Sequence, residues 1–252
     1  MPHEISSIES KAEYRDWVYL ERGDYHKNLD LDWSYAPTYL QKVKLVRQFI
    51  DNLPLNFKIL DLGCGEGVFI NEFLQKGRDI QGLDLNYENE FVRRGNLLEL
   101  PYEASTFDVV MLLDVLEHIQ FQDQRKALIE IHRILKGGGL FFASIPNLAH
   151  FSSRFSLVLS GKLDRTDSEL DHPGERPFSE NKALLEEAGF EIFECRGVTF
   201  TVPYLYRRLI CRRAKQMKWL HDALEPMAKV FPAWAMLDFF ISTKKPSQDK
   251  QS

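Results

Sequence analysis

Short apolar runs of strand length alternate along the chain with amphipathic segments of helix length. The run FDVVMLL at residues 107–113 is almost continuously apolar, which is typical of a parallel strand buried on both faces. The segment 122–135 places Leu128, Ile131 and Leu135 on one helical face. Because parallel strands need crossover connections, this alternation predicts an α/β fold with a mostly parallel sheet.

Glycine, proline and polar residues between the apolar segments mark the ends of the elements. Strands are predicted at 58–62, 79–84, 92–97, 107–113, 140–145, 190–195 and 236–243. Helices are predicted at 9–21, 39–53, 67–75, 122–135, 151–159 and 180–188, the last capped by Ser179, and over much of 203–232. In such sheets ligands bind at the carboxyl ends of the strands.

The stretch KILDLGCGEGVFI joins the first predicted strand to the helix that follows it. Asp61 comes at the end of the strand, and Gly63, Gly65 and Gly67 form the turn. Glycine lets a ligand approach the backbone closely, and the helix N-terminus offers unpaired N–H groups. A dinucleotide fingerprint requires glycine where Val68 stands. The spacing therefore favours a mononucleoside cofactor and disfavours an NAD-dependent enzyme.

Asp84 ends the second predicted strand, roughly twenty residues after the glycine turn. An acidic side chain at this position accepts hydrogen bonds from ribose hydroxyls in Rossmann-like folds. The structural alternative is that Asp84 caps a following helix. Because the glycine turn and the acid occur in the expected order, ribose binding is the preferred interpretation.

Three segments resemble those of a known family: the D-x-G-x-G-x-G turn beginning at Asp61, LPYEASTFDVVMLLDVLEHI around the fourth strand, and ILKGGGLFFASIPN around the fifth. Together they resemble class I, Rossmann-like S-adenosylmethionine (SAM)-dependent methyltransferases of the broad small-molecule type (ubiquinone-biosynthesis-like, or methyltransferase type 11 or 23). The resemblance implies a doubly wound α/β sheet of seven strands. It also implies an antiparallel last strand inserted between the fifth and sixth strands, and SAM as the cofactor.

The resemblance further implies which residues hold SAM. Asn96 stands where the family has an aspartate that accepts from the adenine amino group, and its side-chain carbonyl keeps an acceptor there. Leu97 would pack on the adenine ring, and the segment from Leu113 to Val115 would lie along the methionine end and the adenine. The full predicted set is Asp61, Gly63, Cys64, Gly65, Gly67, Asp84, Leu85, Asn96, Leu97, Leu113, Asp114 and Val115.

We predict one methyltransferase domain over residues 1–252, with an N-terminal helical cap (1–52) and a cofactor-binding half (53–147). A substrate-side insertion (148–178), a C-terminal half (179–245) and a polar tail (246–252) follow. The cap is interpreted as packing on the core, as a lid over the cofactor, or as both. The insertion is long and placed at the site edge, which is typical of a substrate loop. The family often has an Asp/His loop there, and Asp171-His172 matches that placement.

Three histidines are candidate general bases for removing a proton from the acceptor: His150, His172 and His118. Histidine titrates near neutrality and is a natural base for a hydroxyl or carbon acceptor. His150 and His172 are preferred because both leave the sheet on the predicted substrate side. His118 would lie at the edge of the fourth strand.

A metal site is the less favoured interpretation of the segment after the fourth strand. Asp114, Glu117 and His118 stand at i, i+3 and i+4 and would share one face of a helix. Ubiquinone-type methyltransferases use a similar group of residues to hold a cation such as Mg²⁺. Because the same pattern is widespread in the family without metal, the prediction is no metal.

Charge and cysteine content limit the partners and the cellular compartment that are expected for this chain. The net charge is −5, which does not indicate a general polyanion binder. The three cysteines form no C-x-x-C pair, and no apolar leader is visible at the N-terminus, so a cytoplasmic protein with reduced thiols is expected. One basic segment stands out, with Arg207, Arg208, Arg212, Arg213, Lys215 and Lys218. It is interpreted as a solvated face, with a peripheral membrane or anionic contact as the alternative.

The expected function is methyl transfer from SAM to a small-molecule acceptor, most simply a hydroxyl of a saccharide, lipid-linked or secondary metabolite. The family's Asn/Asp-Pro-Pro-aromatic sequence for amino methylation is replaced here by LDVL at residues 113–116. No cysteine follows a proline, which argues against cytosine C5 methylation. An RNA or protein methyltransferase, and a SAM-binding regulatory protein without turnover, remain the alternatives. No nucleic-acid partner is expected from an acidic chain.

Overall fold

The computed structural model describes residues 35–163, 172–210, 212, 213 and 215–244, apart from the side chains of Val68 and Arg207. The predicted helix at 9–21, the tail at 246–252 and the insertion residues Arg165 and Asp171 lie outside the described residues. Within them, a seven-stranded sheet forms the centre of the protein.

The strands are β1 (Lys58–Leu62), β2 (Asp79–Asp84), β3 (Val92–Arg94), β4 (Phe107–Leu113), β5 (Leu135–Pro146), β6 (Phe190–Val198) and β7 (Leu237–Lys244). Their order across the sheet is β3-β2-β1-β4-β5-β7-β6. Strand β7 pairs antiparallel with both β5 and β6, and the other neighbouring pairs are parallel. This confirms the predicted doubly wound sheet with an antiparallel last strand between the fifth and sixth.

The described α-helices flank this sheet. They are α1 (Ala36–Asp51), α2 (Val68–Gln75), α3 (Phe121–Ile134), α4 (Phe151–Ser160), α5 (Phe178–Glu187) and α6 (Lys218–Val230). Among the residues placed by the structure, no helix has both the length and the apolar character needed to cross a membrane.

The core lies on both faces of the sheet, because alternate side chains of each strand point to opposite sides. On one face Leu60 and Val110 pack with Leu128 of α3. On the other face Ile59 and Met111 pack in the group of residues that includes α1 and α2. Burial on both faces explains why the central strand β4 is almost continuously apolar in sequence.

Two predicted strand boundaries are wrong, one because of pairing with a distant residue and one because of a local turn. Strand β5 begins at Leu135 rather than at residue 140, because Leu135 already pairs with Phe107 of β4. Strand β3 ends at Arg94 rather than at residue 97. The side-chain oxygen of Asn96 accepts from the backbone N–H of Leu98 at 2.9 Å, and that turn ends the strand.

The ends of two predicted helices also differ. Helix α5 is preceded by Pro177, so Ser179 lies inside the helix and does not cap it. The cap is supplied across the fold, since Asn147 accepts from the N–H of Phe178 at 3.1 Å. The predicted helical segment 203–232 is broken into a π-helical turn, Tyr206–Ile210, and helix α6.

Arg78 fixes the end of α1 against the start of β2. Its buried guanidinium donates to the carbonyls of Leu53 at 2.7 Å, Pro54 at 2.9 Å and Asp51 at 3.1 Å. These carbonyls belong to the last turn of α1 and the connection that follows it. A cation at a helix C-terminus is favoured by the helix dipole as well as by the hydrogen bonds.

We expect Arg78→Met to destabilise the protein by about 2 kcal/mol, because buried carbonyls lose a charged donor. For a chain of this size that lowers the midpoint of thermal unfolding by about 4–8 °C. The matched control is Arg47→Met, which removes an exposed ion pair with Glu72 of about 1 kcal/mol at most. Equal shifts of the two variants, measured by calorimetry, would contradict this account.

Candidate functional site

The twelve residues predicted to hold the cofactor lie together at one edge of the sheet. They occupy the carboxyl ends of β1, β2 and β4, or the turns that follow β1, β2, β3 and β4. The members are Asp61, Gly63, Cys64, Gly65, Gly67, Asp84, Leu85, Asn96, Leu97, Leu113, Asp114 and Val115. This is the edge at which parallel α/β sheets bind ligands; each contact with a cofactor stays a prediction.

The glycine turn between β1 and α2 is held in a conformation that other residues rarely adopt. Gly63 has φ of 69° and Gly67, which precedes α2, has φ of 78°. A Cβ atom at Gly63 would lie 2.4 Å from Cγ2 of Val115, and one at Gly67 would lie 2.9 Å from Cγ2 of Val92. Glycine is therefore required both by backbone conformation and by close packing.

Asp84 organises this turn. Its Oδ2 accepts from the backbone N–H of Gly65 at 2.8 Å, and its Oδ1 accepts from Asn86 at 2.9 Å and Tyr87 at 3.3 Å. The residues after Asp84 form a turn, so the alternative role as a helix cap is wrong. A carboxylate has about four acceptor positions, which leaves capacity beyond these three bonds.

A cleft of about 260 Å³ opens beside Asp84, between the ends of β2 and β3. It is lined by Leu85, Asn86, Arg94, Gly95 and Asn96. The neighbouring Leu97 is buried in the core. The cleft is where the predicted adenine contacts of Asn96 would have to form, and they stay a prediction.

Asp61 lies in β1 just before the glycine turn, and Cys64 lies within that turn. Burial raises the pKa of Asp61 to about 7, an effect that the charge of Lys42 opposes and that of Asp84 reinforces. The side chain of Cys64 packs against β2, where a Cβ atom at Gly82 would lie 2.4 Å from its Sγ. A buried carboxyl with a raised pKa gains stabilisation from any cation that binds beside it.

Asp114 connects the N-terminal cap to the site. Its Oδ2 forms an ion pair with Nζ of Lys42 at 2.7 Å and accepts from the hydroxyl of Tyr35 at 3.4 Å. Its Oδ1 accepts from the hydroxyl of Ser144 on β5, and its backbone has φ of 57°. A residue that makes this many charged and polar contacts is held in one position.

Lys42, Tyr35 and Ser144 were not among the predicted site residues. Lys42 is only 5% exposed and lies within the buried stripe of α1, between Tyr39 and Val46. A lysine at an apolar-face position is unusual, because a buried cation needs a partner. A lysine within the apolar stripe of this helix is the sequence feature from which Lys42 could have been identified as a site residue.

Two of the three candidate histidines meet beyond Asp114. His118 ends a short 3₁₀ turn, Leu116–His118, and its ring packs edge-to-face on His172 with centroids 4.7 Å apart. Glu117 is 1% exposed, and its Oε2 has no hydrogen-bond partner among the described residues. Burial, with the nearby charge of Asp114, holds the pKa of Glu117 well above its usual range.

The turn that carries His172 is fixed against the turn that carries His118. The N–H of Gly174 donates to the carbonyl of Glu117 at 2.9 Å, and the amide nitrogen of Gln124 donates to the carbonyls of Gly174 at 2.8 Å and Leu116 at 2.9 Å. Arg176 donates to the other end of the Gln124 amide at 2.7 Å. A Cβ atom at Gly174 would lie 2.1 Å from the carbonyl oxygen of Ile119, so only glycine fits there.

His150 is placed differently from the other two candidates. It is buried just before α4, and its Nδ1 lies 2.8 Å from the hydroxyl oxygen of Thr201. Ser152 donates to the carbonyl of the same threonine at 2.9 Å. These contacts tie α4 to the segment after β6. A catalytic role for His150 stays a prediction.

The cation set considered from sequence is wrong in its geometry. Asp114 precedes the 3₁₀ turn, so it does not share a helical face with Glu117 and His118, and it is engaged by Lys42. His172, and not Asp114, lies close to the other two residues. One possible ligand atom of each of Glu117, His118 and His172 lies within 4.8 Å of the others. The prediction of no metal stays a prediction.

The sequence of the central region is similar to that of known methyltransferases. A family model described as a methyltransferase domain matches residues 60–143. A probable SAM-dependent methyltransferase of Mycolicibacterium smegmatis is 34% identical over 150 residues, covering 56% of this chain and 54% of that protein. The ubiquinone biosynthesis O-methyltransferase of Pseudomonas aeruginosa is 29% identical over 161 residues, covering 57% and 68%.

The fold is similar to a solved methyltransferase structure. Phosphoethanolamine N-methyltransferase 2 of Haemonchus contortus, solved with SAM, superposes with a TM-score of 0.60 at 17% identity, covering 98% of this chain and 62% of that one. The chain spans about half the length of the mycobacterial relative. The family match over residues 60–143, the strand order and the glycine turn together support a class I SAM-dependent methyltransferase.

Proposed function

We propose that the chain transfers the methyl group of SAM to a hydroxyl of a small molecule, such as a saccharide, a lipid-linked molecule or a secondary metabolite. The observation that carries this proposal is the contact between His118 and His172 at the edge of the sheet that also holds the cofactor turn. Val115, packed on Gly63 of that turn, is only three residues before His118.

The cofactor half supports the first part of the proposal. The buried Asp61 would pair with the ammonium group of the methionine moiety, since a cation there stabilises the charged carboxylate. Asp84 would accept from the ribose hydroxyls while holding Gly65 in place. The cleft at Asn96 would receive the adenine.

The histidine pair supports the second part. One histidine would take the proton of the acceptor hydroxyl as the oxygen attacks the methyl carbon. The carbon–sulfur bond then breaks, and its electron pair stays on sulfur, giving S-adenosylhomocysteine, the methyl ether and a protonated histidine. The second histidine would fix the orientation of the first. The protein's main contribution is to place the oxygen in line behind the methyl group.

The likeness to the ubiquinone biosynthesis O-methyltransferase supports a hydroxyl as the acceptor. The acceptor itself is best found by transferring tritiated methyl from SAM to extracted metabolites and identifying the labelled product. Binding of SAM without transfer to any extract would favour the alternative of a regulatory SAM-binding protein.

We expect Asp84→Asn to weaken SAM binding about tenfold or more, because a hydrogen bond to a charged group is worth about 1.5–3 kcal/mol. Isothermal titration calorimetry measures the affinity. Asp79→Asn, an exposed change at the opposite end of the same strand, is the matched control and should bind as the parent does. An unchanged affinity for Asp84→Asn would contradict the cofactor assignment.

We expect His118→Gln and His172→Gln each to lower turnover about 10²–10⁴-fold, the usual contribution of a general base. SAM affinity should stay within a few-fold of the parent, and the double variant should lose little more than either single one. His132→Gln, on α3 beside Phe190, is the control. Full turnover in both single variants would show that the base lies elsewhere or is not needed.

We expect dialysis against EDTA to leave turnover unchanged, because the histidine pair is proposed to act as a base and not as a ligand set. Turnover is measured before and after dialysis, and again after adding Mg²⁺ or Zn²⁺. If EDTA abolished turnover and a divalent cation restored it, Glu117, His118 and His172 would be metal ligands and this part of the proposal would fail.

A further inference from the structure

Helix α4 buries polar residues and exposes apolar ones, which is the reverse of an ordinary surface helix. Its buried residues are Ser152 and Ser153, whereas Val158 and Leu159 are 82% and 70% exposed. Phe155 and Leu157 are exposed as well. A helix on a globular protein normally presents its apolar stripe to the core, so this apolar side is arranged to meet something other than water.

A second exposed segment lies beside α4 and continues the same surface. Tyr204 is 71% exposed and Trp219 is 65% exposed, with Leu209 also exposed between them. The two segments enclose a cleft of about 580 Å³, lined by Ser152, Phe155, Ser156 and Leu159 from α4 and by Pro203, Tyr204, Arg208 and Arg212. We call this surface, Phe155–Leu159 with the described residues of 204–219, the α4 face.

The α4 face is strongly basic. Arg208 and Arg212 line the cleft, Arg213 and Lys215 are exposed close to them in sequence, and Lys162 follows the C-cap of α4. No acid occurs between Glu194 and Asp222, and none lies between 151 and 163, although the whole chain has a net charge of −5. Arg208 stacks on Tyr204, 4.6 Å from the ring centroid, which places its guanidinium at the cleft.

We infer that the α4 face docks on the surface of an anionic phospholipid bilayer. Val158, Leu159 and Trp219 would enter the boundary between headgroups and acyl chains, where exposed aliphatic and aromatic side chains are stabilised. Arg208 and Arg212 would bind lipid phosphates, which match the guanidinium geometry. Each basic residue near an anionic leaflet adds to the attraction.

The positive charge of the α4 face favours an anionic bilayer, and not a second copy of the chain, as its partner. Two-fold pairing of the α4 face would bring two sets of arginines and lysines together, and like charges repel. The centre of a protein interface is also depleted of charged residues. A nucleic acid would match the charge but gives no reason for Val158 and Leu159 to protrude into water.

Helix α4 begins just after the carboxyl end of β5, on the edge of the sheet that carries the candidate site. Docking would therefore hold the acceptor side of the protein against the membrane. The inference does not depend on methyl transfer, since binding to vesicles is measured without turnover.

The test is cosedimentation of the full chain with vesicles. We expect binding to vesicles of phosphatidylcholine and phosphatidylglycerol in equal parts, and little binding to phosphatidylcholine alone. Arg208→Glu with Arg212→Glu, and separately Val158→Ser with Leu159→Ser, should each weaken binding about tenfold or more. High salt should weaken binding by the parent.

The control variants carry the same kinds of substitution on other surfaces of the protein. Arg125→Glu with Lys126→Glu reverses two exposed charges on α3, and Leu55→Ser with Phe193→Ser removes two exposed apolar side chains elsewhere. Both should bind vesicles as the parent does.

Three outcomes would overturn the inference. The first is no binding to the anionic vesicles, whether or not the chain binds RNA. The second is an equal loss of binding in the control variants. The third is a dimer, seen by light scattering, that Val158→Ser with Leu159→Ser dissociates.

Discussion

The half-buried carboxylate of Asp114 is the constraint on which the site depends. The buried ammonium group of Lys42 on the cap helix needs a partner, and Asp114 supplies it while also accepting from Ser144 on β5. Three parts of the chain that are distant in sequence are therefore held at the end of β4. The position of Val115 on the glycine turn follows from this anchoring, as does the start of the turn that carries Glu117 and His118.

Much of the fold could be predicted because its signals are local. The apolar run of β4 and the period of α3 are readable from single segments, and the sequence motifs gave the order of the sheet. Two of the errors occurred where a distant residue decides the local structure. Leu135 enters the sheet by pairing with Phe107, and α5 begins at Phe178 because Asn147 accepts its N–H. Neither partner can be identified from the neighbouring sequence.

The same reasoning applies to the histidines. Sequence placed His150 and His172 on the substrate side with equal weight, since both follow β5. The structure separates them through Gly174, which fits only because it has no side chain where it touches Ile119. That contact brings His172 to His118, whereas Thr201 binds His150 within the protein. The spacing of residues in the sequence cannot show a contact made across some fifty residues.

The two sides of the site differ in what they bury. The site buries two carboxyls, Asp61 at the cofactor turn and Glu117 beside the histidine pair, where a cationic ligand or a protonated base would be stabilised. On the acceptor side it buries serines and exposes aliphatic residues beside arginines. Sequence showed the basic residues but could not show that α4 faces outward, because a short apolar helix has the same pattern whichever way it is turned. An exposed surface that is both apolar and basic, close to these buried carboxyls, suits an acceptor that is held in an anionic lipid bilayer.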